Sequence, residues 1–372
     1  MSETMLQFRS LITAESGLEM SLAEVPVPVA GDGEILVRIE AAPINPSDIG
    51  LLCGAADMTG AVFGGTASHP VVTAPVPPAG LRAMAGRMGQ SMPCGNEGAG
   101  TVVAAGAGAE ALLGRKVAII GGATYAGYRA VRASDALLLP EGATAEQGAS
   151  SFVNPLTALG FVETMRLDGH SAIIHTAAAS NLGQMLVRIC AADKVPLVNI
   201  VRSAQQAALL HGLGATHVID MTAPDFVAQL ADACEKTGAT LAFDAIGGGT
   251  QAGQILTAME IAIGRRPGGY SRYGSEVHKQ LYVYGGLDMA PTVMTRGFGM
   301  AWGMGGWLLF PFLKRLGAEG AERLKARVAA ELTTTFASHY SARVSLAEML
   351  SEDAVKGWYR RATGTKYLVV PD

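Results

Sequence analysis

A short turn in the middle of the chain has the residue types that could bind a phosphate group. It runs from Ala177 to Gly183 (AAASNLG) and joins an apolar stretch to residues with helical spacing. Small residues allow the backbone to approach a pyrophosphate, and the N–H groups at the start of a helix attract negative charge. Ser180 or Asn181 could cap this helix or donate to a phosphate. Only Gly183 remains of a G-x-G-x-x-G spacing, so the turn alone also fits an ordinary capped connection.

The end of the next apolar stretch carries an arginine where a carboxylate is often found. Proteins that bind NAD usually place Asp or Glu about 20 residues beyond the glycine turn, to bind the ribose 2′-hydroxyl. This chain instead reads Asn199 to Ser203 (NIVRS). A guanidinium pairs well with a 2′-phosphate, so Arg202 favours NADPH over NADH as the cofactor. The alternative is a solvated arginine at the end of a strand.

Strand-like and helix-like segments alternate around these two features. This rhythm predicts βαβ units and a doubly wound parallel sheet of the Rossmann type, which would position the turn and the arginine. The predicted strands are Ser171–His175, Leu197–Val201, His217–Asp220, Thr240–Ala245 and Leu281–Tyr284, and the predicted helices between the first of them are Asn181–Ala192 and Ala204–Leu213.

The first third of the chain reads as β structure. In Gly33–Glu40, Ile35, Val37 and Ile39 alternate with more polar positions, as in a half-buried strand. Further strands are predicted at Thr101–Ala105, Lys116–Ile120 and Ala136–Leu139, which together suggest a small barrel or sandwich. Residues 54–93 have no clear period and could form either a lid or a surface insertion without a role.

Composition limits the class of protein. The chain has 372 residues, 49% hydrophobic and 16% charged, which predicts two domains with substantial cores. Its net charge of −4, without a basic block, argues against nucleic acid as a partner. Four dispersed cysteines and an N-terminus without a secretory pattern favour the reducing cytoplasm. Gly297–Leu313 is uncharged, and we interpret it as a buried segment or a subunit interface rather than a membrane span.

Several motifs in order resemble one enzyme family. They are Gly33 to Gly54, Gly95 to Gly106, Ser151 to Ala158, the Ala177 to Gly183 turn, Tyr284 to Leu287 and the ending Ala362 to Val370. The chain resembles the zinc-free branch of the medium-chain dehydrogenase/reductases, and within it the NADPH:quinone oxidoreductases and the mitochondrial-type 2-enoyl thioester reductases. The resemblance implies an α/β fold with a GroES-like β-rich catalytic domain in residues 1–142, a Rossmann domain in 143–303, a return to the catalytic domain in 304–372, and a homodimer.

The resemblance also implies which residues bind the cofactor NADP. Asn154 and Thr157 should lie beside the nicotinamide, and Arg202 and Ser203 should hold the 2′-phosphate. Tyr284 and Lys366 have alternatives, as a buried strand tyrosine and a solvated terminal lysine. The remaining residues expected at the pyrophosphate or in the cofactor cleft are Ala179, Ser180, Asn181, Leu182, Gly183, Gly285, Gly286 and Leu287.

Asn45 is the candidate catalytic residue. Its amide could donate to a carbonyl on which negative charge develops during hydride attack, and Pro46 fixes the turn. The alternative is an Asn-Pro turn whose side chain caps only local backbone. Zinc relatives place Cys and His ligands in the segments where this chain has Asn45 to Asp48 and Asn96, so we predict no metal site.

One departure from the family bears on the substrate. The enoyl thioester reductases carry a tyrosine proton donor shortly after the segment that matches Ile44 to Asp48, but no tyrosine precedes Tyr125 here. His69 could replace it, although a loop histidine is more often solvated. We therefore predict hydride transfer from NADPH to a small-molecule quinone or α,β-unsaturated carbonyl. The alternatives are an enoyl thioester reductase with another proton donor, and an NADPH-binding protein without catalysis.

Overall fold

The chain folds into two units that each carry their own sheets. The computed structural model describes residues 3–15, 17–267, 271–360 and 362–371. Unit 1 comprises residues 1–153 and 325–372, and unit 2 comprises residues 154–324. The domain boundaries expected from the sequence, at residues 142 and 303, stay a prediction.

The strands and helices of the described residues begin and end as follows. The strands are β1 Thr4–Thr13, β2 Gly17–Pro26, β3 Glu34–Pro43, β4 Val62–Gly65, β5 Pro70–Ala74, β6 Met92–Pro93, β7 Glu97–Ala105, β8 Lys116–Ile120, β9 Tyr128–Arg132, β10 Ala136–Leu138, β11 Ile173–His175, β12 Leu197–Val201, β13 His217–Asp220, β14 Leu241–Asp244, β15 Lys279–Val283, β16 Trp302–Gly306, β17 Ala342–Val344 and β18 Tyr367–Val369. The helices are α1 Pro46–Leu52, α2 Pro78–Ala83, α3 Ala145–Gly148, α4 Val153–Leu167, α5 Asn181–Asp193, α6 Ala204–Gly212, α7 Phe226–Thr237, α8 Gln251–Gly264, α9 Leu309–Ala330, which is broken at Gly317, and α10 Glu352–Tyr359.

Unit 1 contains two sheets that are mostly antiparallel. One has the order β4-β5-β2-β1-β6, and the other has the order β10-β8-β7-β3-β18-β17 with β9 also paired to β3. Strand β3 buries Ile35, Val37 and Ile39 as the alternation predicts. Leu36 on its other face is also buried, so β3 is not simply a half-buried strand.

Residues 54–93 contribute β4, β5 and β6 to the first sheet. The stretch forms a hairpin of β4 and β5, and β5 pairs with β2 from Leu18 to Ser21. The sequence shows no period here because the two strands are short and half exposed. The ladder hydrogen bonds hold β4 and β5 on the sheet, and the choice between a lid and a surface insertion without a role stays a prediction.

Unit 2 contains the predicted parallel sheet, with the order β13-β12-β11-β14-β15-β16. All five neighbouring pairs are parallel. Helices α5 to α8 connect the successive strands from β11 to β15, because parallel neighbours need a crossover. The core strands, such as β12 and β14, are buried at every position, as expected for a sheet covered on both faces.

The uncharged segment Gly297–Leu313 is only partly buried. Phe298, Trp307 and Phe312 are buried in unit 2, whereas Leu308 and Phe310 are exposed. The segment contains the edge strand β16 and the beginning of α9 rather than one long helix. Within the described ranges, no helix has both the length and the apolar character needed to cross a membrane.

Candidate functional site

The carboxyl edge of the parallel sheet brings the predicted nucleotide-binding residues to one place. Strands β11, β12 and β15 end at His175, Val201 and Val283. Because these strands run parallel in one sheet, the residues that follow them emerge at the same edge. In open α/β sheets this edge is where ligands bind. The residues that emerge there are the turn Ala177 to Gly183, Arg202 with Ser203, and Tyr284 to Leu287.

The turn after β11 has the close backbone approach that a pyrophosphate site requires. A Cβ atom at Gly183 would lie 2.1 Å from the carbonyl oxygen of Ala178, so only glycine fits there. Ala177 adopts a left-handed conformation with φ of 49°, which tightens the turn. Ser180 is the N-cap of α5, since its Oγ accepts the Gly183 N–H over 3.1 Å. The start of α5 is thereby fixed with its N–H groups at the sheet edge.

Arg202 follows β12 with its guanidinium in solvent. Its side chain is exposed and makes no hydrogen bond or ion pair with the part of the chain that the structure describes. Its backbone N–H donates to Gln206 Oε1 over 3.0 Å, which fixes the backbone and leaves the guanidinium free. Ser203 caps α6 by accepting the Gln206 N–H over 3.3 Å. A charged group without a partner at this edge is suited to bind an anionic ligand.

A buried carboxylate that the sequence analysis missed ties two loops of this edge together. Asp244 ends β14 and accepts a hydrogen bond from Thr176 Oγ1 over 2.8 Å. It also accepts the backbone N–H groups of Ile246 and Gly247. Thr176 directly precedes the turn, so this network fixes where the turn begins. An acid at the end of an apolar strand was the signal available in the sequence.

Tyr284 is bonded to a buried histidine. It lies one residue beyond β15, not within the strand as predicted. Its hydroxyl and His175 Nε2 are 2.8 Å apart, and the two rings are stacked with centroids separated by 5.8 Å. Burial lowers the pKa of His175 to about 3, so this imidazole is neutral at physiological pH. Burial also raises the pKa of Tyr284 well above its ordinary value.

Two further predicted residues lie in the first turns of α4. Asn154 and Thr157 are 8% and 6% exposed, at the start of unit 2. Their place beside a nicotinamide stays a prediction. Gly285 approaches the backbone closely, since a Cβ there would lie 2.8 Å from the Ala245 carbonyl oxygen. The Leu287 N–H donates to the same carbonyl over 3.0 Å, so the segment after β15 is tied to the loop after β14.

Asn45 of unit 1 lies in a buried polar cluster rather than in an isolated turn. It precedes α1, and its backbone N–H donates to Asp48 Oδ2 over 2.8 Å. Its side-chain Nδ2 donates to Glu97 Oε1 over 2.8 Å, across 52 residues of sequence. The other oxygen of Asp48 accepts the backbone N–H of Asn96 over 2.8 Å. The side chain therefore does more than cap local backbone.

Glu97 is the centre of this cluster. Its Oε2 accepts the backbone N–H groups of Phe152 and Val153, each over 2.9 Å. Burial raises the pKa of Glu97, while the charge of Lys366 and these hydrogen bonds act in the opposite direction. Burial likewise raises the pKa of Asp48 to about 7. Buried carboxylates are costly unless they are paired and hydrogen-bonded, as both are here.

Lys366 supplies the positive charge near these carboxylates. Its Nζ is buried and has no hydrogen-bond partner within the described ranges, and it lies 5.8 Å from the centre of the Tyr340 ring. Burial lowers the pKa of Lys366 to about 8, and the charges of Glu97 and Asp48 oppose this shift. Lys366 is thus not an ordinary solvated lysine. A role in cofactor binding stays a prediction.

His69 is exposed to solvent, unlike the buried cluster around Asn45. It is in the turn of the β4 and β5 hairpin, where its Nδ1 and Ser68 Oγ are 3.1 Å apart. Asn45, in contrast, is only 1% exposed. No group of three or more His, Cys, Asp or Glu side chains with the geometry to hold a metal occurs in the residues for which the structure gives positions.

Comparison with known proteins finds related sequences and similar folds. The family model described as a zinc-binding dehydrogenase matches residues 182–265. A mitochondrial enoyl-[acyl-carrier-protein] reductase of Bos taurus is 25% identical over 285 residues, which cover 74% of this chain and 64% of the relative. The chain thus spans less than two thirds of that relative's length.

Solved structures match over the whole chain. A protein from Mesorhizobium loti, assigned as an NADPH:quinone reductase, superposes with a TM-score of 0.74 at 23% identity and covers 100% of both chains. The quinone oxidoreductase of Escherichia coli in complex with NADPH gives a TM-score of 0.69 at 20% identity, over 99% of this chain and 100% of that one.

The chain has the fold of the medium-chain dehydrogenase/reductases. The predicted class, a GroES-like β-rich part with a Rossmann parallel sheet, is confirmed. The resemblance to the medium-chain dehydrogenase/reductases is confirmed at the level of the fold.

Proposed function

We propose that the chain is an NADPH-dependent oxidoreductase that uses no metal and reduces a quinone or an α,β-unsaturated carbonyl compound. The observation that carries this proposal is Arg202, whose guanidinium has no partner among the described residues and lies at the sheet edge that also holds the Gly183 turn. A 2′-phosphate would provide the anion that this arginine lacks. The similar fold of the Escherichia coli quinone oxidoreductase, solved with NADPH, supports the choice of cofactor.

Several groups of unit 2 fit such a cofactor. The backbone from Ala179 to Leu182 would hold the pyrophosphate, because α5 begins there and Gly183 lets its first turn pack closely against the turn after β11. Arg202 and Ser203 would hold the 2′-phosphate, and Tyr284 to Leu287 would complete the site. When bound, NADPH supplies a hydride from C4 of its nicotinamide.

The chain itself supplies orientation and electrostatics. Asn45 is held rigidly by Glu97 and Asp48, so its side chain can contact bound cofactor or substrate without paying a large ordering cost. A quinone suits a site without a tyrosine donor, since the product oxygens can take protons from water. An enone would also be reduced, with protonation from solvent.

Activity with a panel of acceptors tests this proposal. Purified protein mixed with NADPH and quinones or enones should oxidise the cofactor well above the rate without acceptor. Turnover of an enoyl thioester that falls sharply in His69→Ala would instead favour the enoyl thioester reductase. Tight NADPH binding without turnover of any acceptor would instead indicate the other alternative, an NADPH-binding protein without catalysis.

We propose that two copies associate through β16. This strand is at the end of the parallel sheet, with β15 as its one neighbour among the described strands. An edge strand offers unpaired backbone groups to another strand. Met300, Leu308 and Phe310 beside it are 73%, 67% and 60% exposed, which is an unusual apolar surface for a solvated edge. A second copy could pair its own β16 and cover these side chains.

The cytoplasm stays the predicted location. The four cysteines, Cys53, Cys94, Cys190 and Cys234, are buried and form no disulfide in the part of the chain that the structure describes, as expected in a reducing compartment.

A further inference from the structure

The side-chain amide of Gln251 in unit 2 is buried, with one end bonded and one end open. Gln251 is the first residue of α8 and is 3% exposed. Its Nε2 donates to the sulfur of Met221 over 3.6 Å. Its Oε1 is also buried and has no hydrogen-bond partner among the residues that the structure describes. A buried acceptor without a partner is unfavourable, so this atom points to a ligand that donates a hydrogen bond.

The contact with Met221 determines which end of the amide stays open. A thioether sulfur accepts hydrogen bonds weakly and has no hydrogen to donate. It therefore pairs with the NH2 end of Gln251, because in the reverse orientation Oε1 and the sulfur would be two facing acceptors. The open end is thus an acceptor, which favours a donor on the ligand and disfavours a second acceptor.

The backbone of Met221 links this amide to the proposed 2′-phosphate site. The Met221 N–H donates to the carbonyl oxygen of Val201 over 2.8 Å. Val201 ends β12 and directly precedes Arg202. Met221 therefore contacts Gln251 through its side chain and the strand end that carries Arg202 through its backbone. All of these residues belong to unit 2.

The part of NADPH beside its 2′-phosphate offers a donor of the required kind. The phosphorylated ribose carries adenine, whose exocyclic N6 amino group donates hydrogen bonds, whereas the ring nitrogen N7 accepts them. The 3′-hydroxyl of the same ribose is the other donor nearby. Gln251 is buried against an apolar side chain, which suits a flat purine base better than a sugar hydroxyl beside the exposed Arg202.

We propose that Gln251 recognises the adenine base of the cofactor, with Oε1 accepting a hydrogen bond from the N6 amino group. This inference rests on the proposed function and refines it, because it assigns recognition of the base to a further residue of the same site. Arg202 distinguishes NADPH from NADH by the phosphate. Gln251 distinguishes adenine from a purine that carries an oxygen at C6.

Exchange of the base tests this assignment in the wild-type protein. In the hypoxanthine analogue of NADPH, a carbonyl oxygen replaces the amino group, so an acceptor would face Oε1. We expect isothermal titration calorimetry to show NADPH binding at least about 10-fold tighter than the analogue. Affinities within about 3-fold of each other would overturn the proposal, as expected if Oε1 binds only water or the ribose 3′-hydroxyl.

Gln251→Leu removes the acceptor and keeps a side chain of similar size. This variant should bind NADPH and the hypoxanthine analogue within about 3-fold of each other, while it keeps the preference for NADPH over NADH that depends on Arg202. Gln254→Leu is the matched control, since this half-buried glutamine lies one turn further along α8. It should keep the base preference of the wild type. A Gln251→Leu protein that still prefers adenine about 10-fold would contradict the proposal.

Stability separates recognition of the base from a structural role. Gln251→Leu should be at least as stable as the wild type in urea unfolding, because it removes a buried acceptor that has no partner. A less stable variant with an unchanged base preference would show that Gln251 serves only the packing of α8. If the variant does not fold, the base preference of the wild type decides the proposal alone.

A fragment of the cofactor distinguishes failure of this inference from failure of the proposed function. Adenosine 2′,5′-bisphosphate has the base and both phosphates of this half without the nicotinamide, and the inosine compound is its hypoxanthine counterpart. The wild type should prefer the adenosine compound at least about 10-fold. Binding of both with equal affinity would refute only the role of Gln251. A wild type that binds neither fragment and no NADPH would refute the proposed function, and this inference with it.

Discussion

Gly183 and Ala178 are in such close contact that no side chain fits between them. A Cβ at residue 183 would lie 2.1 Å from the Ala178 carbonyl oxygen, and real Cβ atoms essentially never approach so closely. The contact packs the start of α5 against the turn after β11. A single glycine therefore does the packing that the third glycine of a dinucleotide motif does elsewhere.

Gly183→Ala should destabilise unit 2 and weaken NADPH binding. The added methyl group forces the turn and helix apart, at a cost of about 1–3 kcal/mol. Gly212→Ala is the matched control, because nothing lies within 4 Å of a Cβ there. It should be neutral or stabilising by up to about 1 kcal/mol. Urea unfolding of both variants measures the difference, and equal stability would contradict the packing role of Gly183.

Arg202→Ala should weaken NADPH much more than NADH. Loss of a charge-assisted hydrogen bond to a phosphate costs about 1.5–3 kcal/mol, or about 10- to 100-fold in affinity. NADH lacks that phosphate, so its affinity should change less than about 3-fold. Lys236→Ala, at an exposed position on α7, is the control for lost positive charge. Fluorescence titration measures the affinity of each variant for each cofactor. Equal losses for the two cofactors in Arg202→Ala would count against the assignment of Arg202.

His175 should make stability depend on pH. Burial lowers its pKa from 6.5 to about 3, so the folded state keeps the imidazole neutral while the unfolded chain takes up a proton below pH 6.5. The stabilisation is fully present above pH 6.5 and is lost as the pH falls from there towards 3. Between pH 7 and pH 5, the wild type should lose about 2 kcal/mol more unfolding free energy than His175→Gln. Identical losses in urea unfolding would show that His175 is protonated in the folded protein.

Dimer formation should depend on β16. Lysine in place of Trp302 and Met304 would place charges on the edge strand and oppose pairing with another strand. We expect the dimer dissociation constant, measured by sedimentation equilibrium, to rise at least about 10-fold. This rise corresponds to a loss of about 1.4 kcal/mol of association free energy. Leu113→Lys, at an exposed position in unit 1, should leave it unchanged. A wild type that sediments as a monomer would contradict the proposed interface.

The periodicity of the sequence was sufficient for the architecture of unit 2. The strands β11 to β15 fall within about two residues of their predicted bounds, because short apolar runs between helical patterns leave few alternatives. The strands within residues 54–93 were harder to predict from the sequence. β4 and β5 are short, and they are ordered by pairing within the sheet that contains β2 rather than by a hydrophobic period of their own.

The polar contacts of the site were beyond what the sequence could predict. Asn45 was identified, but its partner Glu97 is 52 residues away and was not. The charge of Lys366, near the other end of the chain, acts on the same carboxylate. Such partners depend on tertiary packing, which periodicity does not encode. The one available signal was a pair of acids, Asp48 and Glu97, beside apolar strand segments.

Equilibrium titration of the wild-type protein with NADPH and NADH tests the central claim most directly. We predict saturable binding of NADPH, at least about 10-fold tighter than that of NADH, because Arg202 would pair with the additional phosphate. Absence of measurable affinity for either nucleotide would contradict the account.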